Sequence, residues 1–354
     1  MTARPRVATT QGPGRALRVT LDVLRGLMRR VQSERRSMGA AERFLRAAAL
    51  VPVFGALLVI LRVRALFAGP VEFLATTRSG DRFRCHPPDL VQMYLWLFGI
   101  WEPDLTTFIE DRLTAGDGFV DVGANIGYFS VIASRLVGSS GTVVAIEASP
   151  AVFRSLQESM DLNARYDNVR CINRAVGDAR GTIPLYSGPT HNIGLTTTVR
   201  ARGFREEGLV EVLPLDDLLL GEEVRAARIV KIDVEGAEDA VLGGMTQFLE
   251  CCRDDVEILV ELSPGWWADS ARQPMDVLEP FRSKGFHVYE MDNSYWPWRY
   301  LWPRTARYPR RCTRDLTQRV RRLDLVLSRR DVEVLVPASQ PRSSDHDARV
   351  EGTP

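Results

Sequence analysis

The chain is almost without lysine. Of 46 basic residues among 354, only Lys231 and Lys284 are lysines, and the rest are arginine. Histidine is scarce too, at four, and no histidine spacing supports a metal site. Cys85, Cys171, Cys251, Cys252 and Cys312 are odd in number and hold no Cys-x-x-Cys pair. That argues against a disulfide framework and a cysteine zinc site, and it suits a reducing, cytoplasmic compartment. No apolar run reaches the ~20 residues of a membrane span. The first clear one, Ala47 to Leu61, is fifteen uncharged residues that include Pro52; it begins too late for a signal peptide. Neither sign of charge dominates: 46 basic residues stand against 45 acidic, a net of +1, which argues against a whole-chain nucleic-acid binder and leaves room for local patches.

What is present is a globular composition, 45% hydrophobic and 26% charged, with ample material for a core. Charge is unevenly placed. Residues 1–46 hold eleven arginines against Asp22, Glu34 and Glu42, a net of +8. Val19, Leu21, Val23, Leu24, Leu27, Met28 and Val31 recur among them at helical spacing, so a basic amphipathic helix is expected. For Ala47–Leu61 three readings stay open: a helix capping the domain, a helix lying on an anionic membrane surface, and a span. Val71–Ala75 and Arg82–Cys85 read as a hairpin, followed by helices at Leu90–Leu97 and Glu102–Leu113. Residues 118–262 alternate strands and helices. Strands are expected at Phe119–Val122, Thr142–Glu147, Arg170–Asn173, Thr182–Tyr186, Val210–Leu213, Ile229–Asp233 and Ile258–Leu262. Helices are expected at 127–137, 150–164, 214–220, 236–249 and 274–284. Such alternation implies a parallel sheet covered by helices. His287–Met291 and Leu323–Leu327 should close it at one edge, and the polar tail from Ala338 reads as disordered.

The informative stretch is Phe119-Val-Asp-Val-Gly-Ala-Asn-Ile-Gly-Tyr-Phe129, a strand entering a tight turn and a helix. Gly123 and Gly127 would let backbone approach a ligand, with helix-start amides facing it. A dinucleotide fingerprint reads GxGxxG. Here the spacing is GxNxG with Asn125 at its centre, and Asp121 adds a carboxylate that suits a sulfonium and repels a pyrophosphate. The pattern points to S-adenosylmethionine rather than NAD. Glu147 ends the next strand, placed to accept from ribose hydroxyls.

At these residues the sequence resembles the FkbM-type S-adenosylmethionine-dependent methyltransferases, over roughly residues 105–330. The resemblance also rests on Asn173-Arg-Ala-Val-Gly-Asp178, Leu215-Asp-Asp-Leu218, Val230-Lys-Ile-Asp-Val-Glu-Gly-Ala-Glu238 and Leu259-Val-Glu-Leu262. It implies an α/β class I (Rossmann-like) fold with a mostly parallel seven-stranded sheet flanked by helices. Asp121, Gly123, Asn125 and Gly127 would line the methionine side of the cofactor, Glu147 would hold the ribose and Asp178 the adenine amine. The division expected is a basic helical extension over 1–70, a lead-in over 71–104, the methyltransferase domain over 105–335 and a tail over 336–354.

The family's implied acceptors are hydroxyls of sugars, glycolipids and polyketide-type products. An alcohol must lose its proton, so a general base is useful, and ligands of open α/β sheets bind at the carboxyl ends of strands. Asp233 is the first choice, with Glu235, Glu261 and His191 as the other candidates. No histidine spacing supports a metal shared by Asp233, Glu235 and Glu261. Trp266, Trp267 and the Tyr295–Trp302 cluster suit a sugar face, a membrane interface or plain core. Arg299 to Arg330 carries a net of +9, suited to an anionic partner or simply to solvent. A small-molecule or lipid-linked sugar acceptor is expected, with membrane contact through residues 1–67 and no nucleic acid. The other readings are a cofactor-binding module without catalysis and an NAD-dependent oxidoreductase.

Overall fold

A computed structural model of the chain describes residues 39–68, 71–87, 89–164, 166–188, 196–197, 204–267, 269, 271–301, 306–317 and 320–337, with 19, 21–23, 25–26 and 29. The expected polar tail and His191 lie outside the described residues. The uncharged run sits within one long helix, α1 (Ala40–Ala68), which passes through Pro52. Among the described residues no helix is long and apolar enough to cross a membrane. A hairpin of β1 (Phe73–Thr76) and β2 (Arg82–Cys85) follows, paired antiparallel. Helix α2 (Leu90–Phe98) starts where the Asp89 side chain accepts from the Gln92 N–H, and stops at Gly99 in the left-handed conformation. Helix α3 (Pro103–Arg112) begins with a proline, pre-set for a helix start.

The central sheet has eight strands. Its parallel part is β3 (Gly118–Val122), β4 (Thr142–Ile146) and β5 (Val169–Ile172) on one side, with β10 (Ala227–Ile232) and β11 (Glu257–Leu262) on the other. Strand β14 (Leu323–Ser328) then runs antiparallel between β11 and β12 (His287–Glu290), and β13 (Arg310–Arg311) forms the edge. Alternate residues face alternate cores. Val120, Val144, Val230 and Val260 are buried on one face, and Phe119, Val143, Ile229 and Leu259 on the other. Strands buried on both faces need such continuous apolar runs. The second face is continuous with Leu50, Phe54, Leu57 and Leu61 of α1, so the basic extension packs into the main core.

Two expected strands leave this sheet. β7 (Gly181–Ser187) and β9 (Arg205–Pro214) pair antiparallel, and with β6 (Ala175–Gly177) and β8 (Thr196–Thr197) they make a separate four-stranded sheet. Both are largely exposed or half-buried, so neither could replace a parallel strand buried on both sides. The sheet is therefore eight-stranded and mixed, not seven-stranded and mostly parallel. Helices α4 (Tyr128–Val137) and α5 (Pro150–Asn163) follow β3 and β4. The helix expected over 236–249 is broken into Glu238–Gly243 and Thr246–Cys251; at the break only glycine fits, since a Cβ on Gly244 would lie 2.1 Å from the Gly177 carbonyl oxygen.

From β3 the chain winds one way to β4 and β5; from β10 it winds the other way to β11. The order reverses between β3 and β10, and ligands of open α/β sheets bind outside the strand ends at such a point.

Candidate active site

A cavity of about 310 Å³ opens at that switch point. Its floor is the turn after β3, Val122 to Ile126; one end meets Glu147 and Arg174–Val176, the other Asp233, Glu235 and Glu261. The Gly123 and Ala124 N–H groups both donate to the Ile146 carbonyl, which clips the turn to β4. Asn125 takes a positive φ of 53°, which asparagine tolerates better than most residues. Its side chain accepts from the Ile126 N–H at 2.8 Å.

The glycines act differently from expectation. At Gly123 a Cβ would lie 1.9 Å from the Asp233 carbonyl oxygen, and at Gly127 it would lie 2.6 Å from Leu156 and 2.7 Å from Met160. Gly123 lets the turn pass under the end of β10, and Gly127 lets α4 close on α5. Only Gly123 lines the cavity. Asp121 does not line it either. The carboxylate is buried below the turn, accepting from Ser130 Oγ at 2.6 Å and lying 3.9 Å from Lys231 Nζ. Its Oδ1 has no hydrogen bond, so Asp121 acts on Lys231 by charge. Asp178, the expected adenine contact, is exposed and does not line the cavity, whose edge there is formed by Arg174, Ala175 and Val176.

Glu147 is where the sequence places it. Its two oxygens accept from the Asn125 and Ser149 N–H groups, each at 2.9 Å. Burial pushes its pKa up to about 7 against these donors. Asn173 donates to the Glu147 and Ala148 carbonyls. The Asn-Arg-Ala-Val string thereby holds the strand end that carries Glu147.

Lys231-Ile-Asp-Val-Glu-Gly-Ala-Glu238 builds the other end. Lys231 Nζ lies 3.0 Å from Asp233 Oδ2 and stands over the Phe129 ring. Burial opposes its charge, yet Asp233, Asp121 and Glu102 together hold its pKa above the ordinary lysine value. Its ion-pair partner at the cavity is therefore Asp233. Glu235 takes a φ of 49° and Gly236 one of 97°, and a Cβ on Gly236 would lie 2.7 Å from that of Trp266. Glu238 fastens this turn, accepting from the Gly236 N–H at 2.7 Å and the Trp267 indole at 2.8 Å. One carboxylate oxygen each from Asp233, Glu235 and Glu261 comes within 4.8 Å of the others. Burial, then the charge of Asp233, raises both Glu235 and Glu261.

Tyr295, Arg322 and Glu102 complete the wall; the sequence marked Tyr295 only within an aromatic cluster and Arg322 only within a basic stretch, and did not single out Glu102. The Tyr295 hydroxyl lies 2.8 Å from Glu102 Oε1 and 3.1 Å from Glu261 Oε2, and it accepts from Arg322. Arg322 Nε lies 2.9 Å from Glu261. Glu102, at φ 42°, is pushed up to about 7 by burial and by Asp233. Trp101 stacks on Tyr295 at 5.1 Å and lines the cavity with it and Trp266. Trp267 and Tyr300 are core instead. Of the arginine-rich stretch, Arg299, Arg307, Arg311, Arg314, Arg322 and Arg329 pair with acids of the chain, while Arg321 is exposed at the cavity rim.

Residues 121–288 match the methyltransferase FkbM domain, and the chain carries an FkbM-family S-adenosylmethionine-dependent methyltransferase domain. Two relatives carry methyltransferase names. The hexuronic acid methyltransferase AglP of Haloferax volcanii is 27% identical over 169 residues, 46% of this chain and 63% of that protein. The methyltransferase sdnD of Sordaria araneosa is 25% identical over 214 residues, 52% of this chain and 79% of that one. The chain thus spans less than two thirds of the first relative. A solved S-adenosylmethionine-dependent O-methyltransferase of Thermotoga maritima aligns at 14% identity over 74% of this chain and 79% of that one, with a TM-score of 0.35; a likeness so remote says nothing about the acceptor.

S-adenosylmethionine is the cofactor of this domain, and the residues fit it. Glu147, with an acceptor edge still free on each oxygen, suits the ribose hydroxyls; Gly123 to Asn125 present bare backbone; and the carboxylates beyond suit a cationic donor.

Proposed function

We propose that the chain is an O-methyltransferase acting on a hydroxyl of a sugar, glycolipid or polyketide-type product. The observation that carries this reading is the acidic acceptor end, where Asp233, Glu235 and Glu261 converge beside the turn that holds the cofactor. When bound, S-adenosylmethionine supplies an electrophilic methyl group on a sulfonium. Asp233 then has a defined role. Lys231 holds its Oδ2, leaving Oδ1 to accept the proton of the hydroxyl as oxygen attacks. Glu102, Glu235 and Glu261 accept hydrogen bonds from neighbouring hydroxyls, and Trp101, Tyr295 and Trp266 give apolar faces for a ring. Orientation of this kind accounts for a large part of the rate in a bimolecular displacement.

The name of the Haloferax relative supports a sugar acceptor. A sugar acid offers hydroxyls and a carboxylate, and four carboxylates at this end disfavour the second. The test is mass spectrometry of products after incubating the full chain with methyl-labelled donor and a panel of sugars, sugar acids, lipid-linked sugars and polyketides. Labelled ether on a hydroxyl is expected. Labelled ester would move the reaction to carboxylates, and binding of the donor with no transfer to any acceptor would favour a cofactor-binding module.

A further inference from the structure

Helix α1 is apolar on two opposite sides. Leu50, Phe54, Leu57 and Leu61 face the core, and the Phe54 ring meets Tyr94 at 5.8 Å. Across the helix, Leu45, Ala49, Pro52, Ala56, Val59, Ile60, Val63 and Phe67 are all exposed, Val59 by 59% and Phe67 by 86%. At 100° per residue these fall in one arc of roughly 100°, a stripe about 33 Å long. No charged residue lies between Ala47 and Leu61, and Arg62 and Arg64 stand on either side of the stripe near its end. Contiguous exposed apolar surface of this extent marks an interaction site.

We propose that this stripe seats on an anionic lipid bilayer, as an interfacial helix lying in the headgroup plane. Charge selects the occupant. Residues 1–46, up to and including the first turns of α1, carry +8, which anionic headgroups attract. A second copy would offer the same positive segment and no complementary charge. Of the described residues before α1, three are held elsewhere than on the stripe. Leu21 is in the core, Arg25 stands over Trp96, and Arg29 donates to the Thr76 carbonyl. The inner side of α1 also leads to the acceptor end of the cavity. Rings pass contact from Phe54 to Tyr94, from Tyr94 to Trp101 at 5.7 Å, and from Trp101 to Tyr295 at 5.1 Å. Trp296, next in the chain, is 72% exposed. The helix that would rest on the bilayer is thus joined through three ring contacts to the cavity wall. The docking itself does not depend on which group is methylated.

The test is co-sedimentation of the full chain with vesicles of phosphatidylcholine alone or mixed with phosphatidylglycerol. Binding is expected to the mixed vesicles and to weaken with salt, because headgroup attraction is screened within a Debye length. Val59→Glu with Val63→Glu should lower partitioning about tenfold or more, since two half-inserted valines are lost. Phe67→Ser should lower it less, and Leu209→Glu, on exposed β9 away from the helix, should leave it unchanged. Calorimetric binding of S-adenosylhomocysteine should be the same in all, which separates loss of docking from loss of the site or of folding. Equal sedimentation of the double variant and the wild type overturns the proposal. So does a wild-type dimer that ignores vesicles and turns monomeric in the double variant, since a second copy would then be the occupant.

Discussion

The two ends of the cavity are built in different ways. The cofactor end comes from neighbouring strand ends, β3 and β4, and is held mainly by backbone: Gly123 and Ala124 to Ile146, and Asn125 and Ser149 to Glu147. The acceptor end comes from five distant segments, with Glu102 and Tyr295 193 residues apart, and is held by side-chain charge. Backbone clips leave little freedom to vary a ligand. A wall of carboxylates tied through Tyr295, Lys231 and Arg322 can be re-cut by single substitutions without disturbing the sheet. One donor and many acceptors is the pairing such a division permits.

The largest expected effect lies where the two ends touch. Gly123→Val should abolish S-adenosylhomocysteine binding in calorimetry, because the new Cβ collides with the Asp233 carbonyl and disturbs both ends at once; retained binding would mean that the turn is slack. Asp233→Asn tests the acceptor end alone. Turnover should fall about 10²–10⁴-fold while cofactor affinity holds within a few-fold. A small loss would remove the general base and favour an acceptor that is already ionised. Tyr295→Phe should cost about tenfold in kcat/KM for the acceptor, the scale of one hydrogen bond to a charged group, with donor KM unchanged; equal losses on both substrates would erase the distinction between the ends. The smallest effect is on stability. Glu102 titrates near 4.5 when exposed and near 7 when folded, so between those values the folded chain binds more protons than the unfolded one. Stability then falls as pH rises through that window, by on the order of 1–3 kcal/mol, and the full penalty stands above pH 7. Thermal melts of the cofactor-free Glu102→Gln variant should show a flatter slope than wild type between pH 5 and 7.

How legible each end was follows from the same difference. Asp121 to Phe129 is contiguous, so its turn, its cofactor and its partner Glu147 could be read in order. The roles inside it could not, because whether a glycine admits a ligand or a neighbouring helix depends on what packs above it: Gly127 meets Leu156 and Met160. Asp233 and Glu261 were readable as carboxylates at strand ends. That Glu102, Tyr295 and Arg322 meet there was not, since nothing local pairs residues so far apart. A faint sign existed in Trp101-Glu-Pro103, a glutamate wedged between an aromatic and a helix-starting proline. The strands of the parallel core were found within a few residues; β6, β8 and β13 were not expected, β9 begins five residues early, and the separate sheet of β6 to β9 was not foreseen. The charged run Arg205-Glu-Glu207 at the start of β9 marks a strand too exposed for the central sheet.

Among the described non-glycine residues, Glu102, Asn125 and Glu235 are those with positive φ, and all three border the cavity. Such backbone costs of order 1–3 kcal/mol for a side chain other than glycine. Any search for a hardier version of this protein will meet that directly. Glycine at 102 or 235 is the cheapest gain in heat tolerance within reach, and it removes a carboxylate from the acceptor wall. A screen for thermal survival alone, sequenced before activity is measured, should therefore enrich Glu102→Gly and Glu235→Gly and return sturdy proteins that no longer transfer a methyl group.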